Sequence, residues 1–382
     1  MASVIDTAPL VLDVGVVLLA AATSGLIARR IGFPAIVGYL VTGLLVSPFT
    51  PGFVADKNQL ALLADIGVVL LLFEVGIEID LKRIRKEQGA LLWSSPLQII
   101  FGIAVGTPIF LLLDFSLLGA LLLSLSVAMS SSVVIVNITR SRSRTTDTAT
   151  EEALLGWSVL QDITGVAAAA LILTFAGNTD QSLVRSIGGL FGFALLALLS
   201  AKLLPFLLRT VRLEKDLFLI YSVAIGLSIA ALGTVLFDIP MALASFVAGL
   251  AINQSRDTDD VRKAVLPFKD LFQVFFFVVI GSLVDPALIV DALPFTGLLI
   301  LLVVVLKTLP SALFAHYGKM KAHRMQLAVG LSQIGEFSFV LGASALAAGA
   351  INPTQFTGIL LAVIASIIIS TLAVRKAGHN HT

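Results

Sequence analysis

The chain has 382 residues, of which 58% are hydrophobic and only 13% charged, and its mean hydropathy is +1.03. These values lie far outside the range of soluble globular proteins and predict a polytopic membrane protein. The sequence contains no cysteine, which excludes disulfides, thiolate chemistry and Cys-ligated metals. The four histidines lie at helix ends or in the tail. We therefore expect no metal centre and no cofactor.

Thirteen apolar segments are predicted to form membrane-spanning helices. They cover residues 9–28, 33–48, 60–79, 90–113, 116–138, 152–176, 185–208, 217–236, 240–254, 266–284, 294–315, 324–347 and 354–374. No stretch between or after them is long enough for a soluble regulatory domain, so residues 1–382 are predicted to form a single transmembrane unit. The predicted fold class is all-α.

The basic residues predict the topology. If the N-terminus is outside, 22 of the 25 lysines and arginines fall on the cytoplasmic side, leaving Lys57 and Arg185 outside and Lys307 within a segment. This asymmetry follows the positive-inside rule. It predicts a multi-pass protein of the cell membrane with an outer N-terminus and a cytoplasmic C-terminus. Trp93 and Trp157 lie near the cytoplasmic side and are predicted to be interfacial anchors.

An internal duplication is visible in the sequence. Residues 33–44 align with residues 239–250 at an offset of 206, and at an offset of 205 Gly76 and Asp80 align with Gly281 and Asp285. Segments 1–6 (about 9–176) thus match segments 8–13 (about 217–374), with segment 7 as a linker. Because segments 1 and 8 run in opposite directions, the two repeats are inverted, as in many secondary transporters. Small-residue patterns also recur by chance in packed membrane helices.

Segments 5 and 12 carry matching polar breaks near the middle of the membrane. Ser130, Ser131 and Ser132 in segment 5 correspond to 335–337 in segment 12, which begins with Gly335. Inside a bilayer such breaks are tolerated where they line a cavity, and there their carbonyls and half-helix ends can coordinate a cation. We therefore expect the two segments to cross, with the serines near the ion and Gly335 and Ser338 at the crossing.

Asp162 is the strongest candidate site residue because it lies in the middle of apolar segment 6. A charged side chain at that depth costs at least about 2.5 kcal/mol on insertion scales, so it is kept for ion or proton traffic or within a paired structural network. A carboxylate can hold a proton or an alkali cation but not both well, and competition for one site yields antiport. Gln161 adds an amide oxygen without a second charge. One titrating acid favours electroneutral exchange.

Three further ionisable residues lie deep in predicted segments. Lys307 either pairs with Glu336 or Asp162 and holds the bundle together, or takes part in transport. Glu336 is expected to compensate the dipole ends of the half-helices at the crossing. Glu74 is a candidate supporting charge in the surroundings of the site.

Several motifs together resemble the membrane domain of Kef-type potassium/proton antiporters, in the monovalent cation:proton antiporter-2 family. They are Leu160-Gln161-Asp162-Ile163, the run Leu331-Ser332-Gln333-Ile334-Gly335-Glu336-Phe337-Ser338-Phe339-Val340-Leu341, the stretch from Pro267-Phe268-Lys269 to Phe276-Phe277, and Met129-Ser130-Ser131-Ser132. The resemblance implies thirteen helices in a dimerisation domain and a core domain, crossing helices 5 and 12, an elevator-like movement of the core, and a homodimer.

Carried over by motif, the resemblance makes Asp162 the cation- and proton-binding acid, Gln161 its neighbour, and Lys307 the basic residue of helix 11. The sequence departs from the family in two respects. Kef proteins usually continue into a cytoplasmic nucleotide-binding regulatory domain that this sequence lacks, which puts gating by nucleotide or glutathione in doubt and leaves open whether a separate regulatory subunit replaces that domain. Glu74 stands where such sequences usually have an aliphatic residue, which could alter ion preference or stoichiometry.

The predicted function is exchange of K⁺ or Na⁺ for H⁺. The alternatives are a cation channel or gated K⁺ efflux pathway, in which the polar breaks line a pore, and an organic-anion carrier, in which half-helix N-termini and Lys307 receive a carboxylate. We do not expect an enzyme, because no HExxH motif, His-rich cluster or Ser-His pair occurs within the segments. The expected partners are the transported ions and the lipid bilayer, without nucleic acid.

Overall fold

The structure is a computed structural model that describes residues 8–31, 33–50, 57–78, 89–131, 134–135, 146–175, 214–237, 241–253 and 258–379, with isolated residues between 139 and 210. The regular structure within these ranges is helical. The α-helices are α1 (Ala8–Arg30), α2 (Ala35–Leu45), α3 (Lys57–Glu78), α4 (Leu91–Leu112), α5 (Leu117–Ala128), α6 (Thr148–Phe175), α7 (Lys215–Phe237), α8 (Met241–Asn253), α9 (Thr258–Ser282), α10 (Ile289–Val303), α11 (Leu309–Tyr317), α12 (Arg324–Gly330), α13 (Phe337–Ala347) and α14 (Pro353–His379).

The prediction of an all-α polytopic fold is confirmed. Eight helices among the described residues are long and apolar enough to cross a membrane, and three shorter apolar helices, α2, α5 and α13, accompany them. Segments 1–6 and 8–13 each coincide with a described helix or with a pair of helices separated by a break. Segment 7, predicted at 185–208, lies mostly outside the described residues.

The chain divides into two compact units that each draw on both halves of the sequence. The first unit comprises Met1–Glu78 and Ile187–Pro286, and the second comprises Ile79–Ser186 and Ala287–Thr382. Helices α1–α3 and α7–α9 therefore belong to the first unit, and α4–α6 and α10–α14 to the second. Hydropathy alone gives no hint of this division, because it reports only the length and polarity of each segment, whereas the family resemblance implies a dimerisation domain and a core domain.

Glycines allow close helix contacts in the first unit. A Cβ atom on Gly43 would lie 2.0 Å from the carbonyl oxygen of Val278, and one on Gly249 would lie 2.1 Å from that of Phe73. Backbones can approach this closely only where a side chain is absent, which is a common basis of helix association in membranes. Around these contacts α3, α7, α8 and α9 share an apolar core that includes Phe73 and Ile229.

The glycine contacts support the inverted-repeat prediction. Gly43 and Gly281 approach each other, as do Gly249 and Gly76. In the alignment of the two repeats, Gly43 corresponds to Gly249 and Gly281 corresponds to Gly76. The contact between Gly43 and Gly281 is therefore equivalent to the contact between Gly249 and Gly76. Two different pairs of helices in one unit thus meet in the same way, as a pseudo-two-fold axis requires.

The core of the second unit surrounds Trp157. This side chain is fully buried, and it packs with residues of α4, α6, α11 and α12, among them Leu91, Leu154 and Leu327. The prediction that Trp157 is an interfacial anchor is therefore wrong. Its position along α6 suggested the membrane surface, but its side chain faces neighbouring helices. Trp93 is 42% exposed, as an anchor at the interface should be.

Candidate ion-binding site

The predicted break in segment 5 is present. Helix α5 ends at Ala128, and Met129 takes an extended conformation with φ −88° and ψ 139°. Ser130 and Ser131 follow outside any helix. Serine side chains compete for backbone hydrogen bonds and therefore weaken a helix at this position. Ser132 lies outside the described residues.

The second break lies in segment 12, between the end of α12 at Gly330 and the start of α13 at Phe337. The two breaks cross. The backbone N–H of Gly335 donates to the carbonyl of Met129 at 3.0 Å, and the hydroxyl of Ser130 donates to the carbonyl of Leu331 at 2.8 Å. A Cβ on Gly335 would lie 2.6 Å from the carbonyl oxygen of Ser130, so only glycine permits this approach. The predicted crossing is therefore observed.

Two buried glutamines satisfy the backbone of the broken segment. The N–H of Ser130 donates to Gln161 Oε1 at 3.2 Å, and the N–H of Ser131 donates to Gln333 Oε1 at 2.8 Å. Gln333 Nε2 also donates to the carbonyl of Ser131 at 3.2 Å. Because unpaired buried backbone groups are costly, these amides stabilise an irregular backbone that could not exist in lipid.

Lys307 binds the crossing through carbonyl oxygens. Its side chain is fully buried, and Nζ donates to the carbonyls of Met129 at 2.6 Å and Gln333 at 2.8 Å. Lys307 lies in a π-helical turn, Val304–Thr308, between α10 and α11. Among the described residues Lys307 forms no ion pair, so pairing with Glu336 or Asp162, one of the two alternatives for this residue, is not seen. The ammonium instead compensates the partial negative charge of carbonyls at the breaks.

Gln98 is a site residue that the sequence analysis missed. It is fully buried on α4, its Nε2 donates to the carbonyls of Ala128 and Leu306 at 3.3 Å each, and its Oε1 accepts from Gln161 Nε2. In a regular α-helix the carbonyl of Leu306 would accept from residue 310, but Pro310 has no N–H, and the amide of Gln98 supplies a donor to this carbonyl. A polar residue in the middle of apolar segment 4 was the available signal.

Asp162 lies directly beside this network. It is 6% exposed on α6 and follows Gln161, which contacts the break in segment 5. One turn further along α6, a Cβ on Gly165 would lie 2.4 Å from the Met129 side chain, so this part of α6 packs on the end of α5. A buried carboxylate thus lies near two interrupted helices. Such a group can bind a proton or a hard monovalent cation.

The remaining candidates occupy different positions. Glu336 is half-buried at the N-terminal end of α13, where the helix dipole favours a negative charge. The hydroxyl of Ser338 donates to the carbonyl of Gly335 at 2.6 Å and closes the turn after the crossing. Glu74 lies in the first unit, whereas all the other candidates lie in the second. There Glu74 Oε1 pairs with Arg262 Nε at 2.8 Å.

Discontinuous helices that meet beside a buried ionisable residue are typical of ion-coupled secondary transporters. The chain belongs to the sodium/hydrogen exchanger transmembrane family, which matches residues 16–376. The predicted membership of the monovalent cation:proton antiporters is thereby confirmed. The narrower Kef-type assignment stays a prediction.

Similar proteins agree with this membership. The chain is 28% identical over 361 residues to the putative cation/proton antiporter YbaL of Escherichia coli, covering 91% of this chain and 64% of that protein. It thus spans less than two thirds of that relative's length. Its fold is similar to a structure of the sodium proton antiporter MjNhaP1 from Methanocaldococcus jannaschii at pH 8, with a TM-score of 0.73 and 16% identity over 97% of this chain and 99% of that one. A second structure of MjNhaP1, an electron-microscopy map, gives a TM-score of 0.62 with 15% identity and covers 96% of both chains.

Proposed function

We propose that this protein exchanges a monovalent cation, K⁺ or Na⁺, for H⁺ across the membrane, with Asp162 as the group that binds both in turn. The observation that carries the proposal is the burial of Asp162 beside the crossing of two broken helices, in a chain of the sodium/hydrogen exchanger family. A single carboxylate can release its proton only when a cation replaces it, which couples the two fluxes.

The neighbouring residues stabilise the irregular backbone around Asp162. Gln161 and Gln333 satisfy the irregular backbone of segment 5, and Lys307 satisfies carbonyls of both breaks. We infer that Ser130 and Ser131 supply neutral oxygen ligands, since hydroxyl oxygens retain lone pairs while they donate or accept one hydrogen bond. With neutral ligands around one acid, exchange of one proton for one cation carries no net charge.

The division into two compact units supports an elevator-like mechanism. In this proposal the second unit, with Asp162 and the crossing, is the moving core, and the first unit is the dimerisation domain of a homodimer. The predicted inverted repeats at 9–176 and 217–374 supply the two alternative orientations of the core. The outer N-terminus and cytoplasmic C-terminus belong to the same proposal and rest on the distribution of Lys and Arg.

The test is proton flux in proteoliposomes, monitored with a pH-sensitive dye during additions of K⁺, Na⁺ or choline. Wild-type protein and Asp162→Asn are compared with Glu152→Gln, which removes an exposed acid from the same helix. We expect K⁺ or Na⁺, but not choline, to dissipate the pH gradient with the wild type and the control, and neither ion to do so with Asp162→Asn. The flux should not require a charge-compensating ionophore.

Three results would contradict the proposal. Unchanged exchange by Asp162→Asn would exclude Asp162 as the shared binding group. Cation flux that neither saturates nor moves protons would instead indicate a channel. Proton movement that depends on an added organic anion, and not on the cation, would indicate an organic-anion carrier.

A further inference from the structure

A basic, concave surface lies at the end of the second unit where α11 leads into α12. Two cavities of about 650 Å³ and 360 Å³ share Met320 and Arg324 in their walls. Both are lined by residues of α11, α12 and the connector at 318–323. This end of the unit contains none of the residues assigned to the ion-binding site.

The charge of this surface is positive. Lys319 and Lys321 line the cavities with Arg324, and all three are exposed. None of the three forms an ion pair with an acidic side chain in the part of the chain that the structure describes. Basic loop residues alone would be explained by the positive-inside rule. That rule does not explain why these basic residues line two adjoining, open depressions together with apolar side chains.

The side chain of Arg324 makes a polar contact at this surface. The guanidinium of Arg324 contacts His316 Nδ1 at 2.9 Å. Because arginine has no acceptor, the histidine nitrogen must be the acceptor of this bond. The contact occupies one of the five N–H donors of Arg324 and leaves four for a ligand. A planar fork of free N–H donors matches the oxygen atoms of a phosphate.

The position of the surface is suited to a lipid. Trp93, the partly exposed tryptophan of α4, makes an edge contact with Phe314 of α11, with ring centroids 6.0 Å apart. Tryptophan concentrates at the level of the headgroups. Apolar side chains line the same cavities, including Tyr317 and Met325, which are 69% and 59% exposed. An amphipathic ligand would contact both the cations and these apolar groups.

We propose that this surface binds the phosphate of an anionic phospholipid headgroup from the adjacent leaflet. Arg324, Lys319 and Lys321 contact the phosphate oxygens, and the apolar walls contact the glycerol backbone and the first part of the acyl chains. Basic pockets between membrane helices provide this kind of recognition. The proposal does not depend on the identity of the transported ion.

The test uses native mass spectrometry of the purified full chain in detergent, titrated with phosphatidylglycerol or phosphatidylcholine. The variant Lys319→Gln/Arg324→Gln is compared with Lys263→Gln/Lys376→Gln, which removes the same charge at other exposed basic positions. We expect the wild type and the control to bind phosphatidylglycerol in preference to phosphatidylcholine. Binding by the first variant should be at least about tenfold weaker, because charge-assisted hydrogen bonds are lost.

A second variant and a soluble competitor sharpen the result. Arg324→Lys keeps the charge without the planar fork and should weaken binding less than the double variant. Inorganic phosphate, added at the same concentration as the lipid, should not displace bound phosphatidylglycerol. Displacement would show that the site serves a free phosphate and would overturn the lipid assignment. Equal affinity for both lipids, or equal lipid binding by the double variant and its control, would contradict the proposal that this surface binds an anionic phospholipid.

Discussion

Replacing Gln98 by leucine tests whether the buried amide network holds the crossing together. The substitution keeps the approximate size of the side chain but removes three hydrogen bonds. Two are donated to the carbonyls of Ala128 and Leu306 at 3.3 Å, and the third is accepted from Gln161. After the change, Gln161 Nε2 retains a bond of 3.4 Å to the carbonyl of Ala128, whereas Leu306 has lost its side-chain donor.

The expected loss of stability follows from these contacts. Each buried hydrogen bond contributes about 1 kcal/mol, and a carbonyl left unsatisfied costs about 1–3 kcal/mol. The greater hydrophobicity of leucine offsets part of this loss. We therefore expect the free energy of unfolding to fall by about 2–4 kcal/mol for Gln98→Leu.

The measurement is unfolding of the purified protein in mixed micelles, followed by circular dichroism. The matched control is Gln273→Leu, because Gln273 Nε2 makes one long bond of 3.4 Å to Asp270 at an exposed contact. The control should change stability by no more than about 0.5 kcal/mol. If Gln98→Leu is as stable as this control, the network does not support the crossing and the reasoning fails.

Three further predictions concern the crossing and the first unit. Gly335→Ala should destabilise the protein by about 1–3 kcal/mol and slow exchange, because its Cβ would lie 2.6 Å from a carbonyl oxygen; unaltered exchange rates in proteoliposomes would contradict this. Gly249→Ala should destabilise the first unit by a similar amount in the same unfolding assay, whereas Gly297→Ala, with no atom within 4 Å of its Cβ, should not; equal effects would refute the close-contact argument. Glu74→Gln should cost about 1–2 kcal/mol, since Arg262 remains 35% exposed, and should leave the ratio of K⁺-driven to Na⁺-driven proton flux unchanged; a changed ratio would place Glu74 in the transport site.

The sequence alone was sufficient to predict properties that depend on a single segment of the chain. Segment lengths and hydropathy predict the number of helices because a bilayer sets the length of any helix that crosses it. Breaks were predicted at 130–132 and 335–337 because serine and glycine are poor helix formers in an apolar run, and the described residues 129–131 and 331–336 lie outside helices. The depth of Asp162 was also readable, since a charge is rare in such a run.

The tertiary structure decided which groups meet. Gln98 contacts Gln161 and Leu306 across separations of 63 and 208 residues, and Lys307 reaches Met129 across 178. No local pattern predicts these pairs. An amide and an ammonium can each be satisfied by a carboxylate, a carbonyl or water, and the choice depends on which helix faces are packed together. The pairing of Glu74 with Arg262 in the first unit and the burial of Trp157 have the same origin. Composition and segment length thus determine that this chain enters the membrane, whereas helix packing determines how its buried polar groups are satisfied.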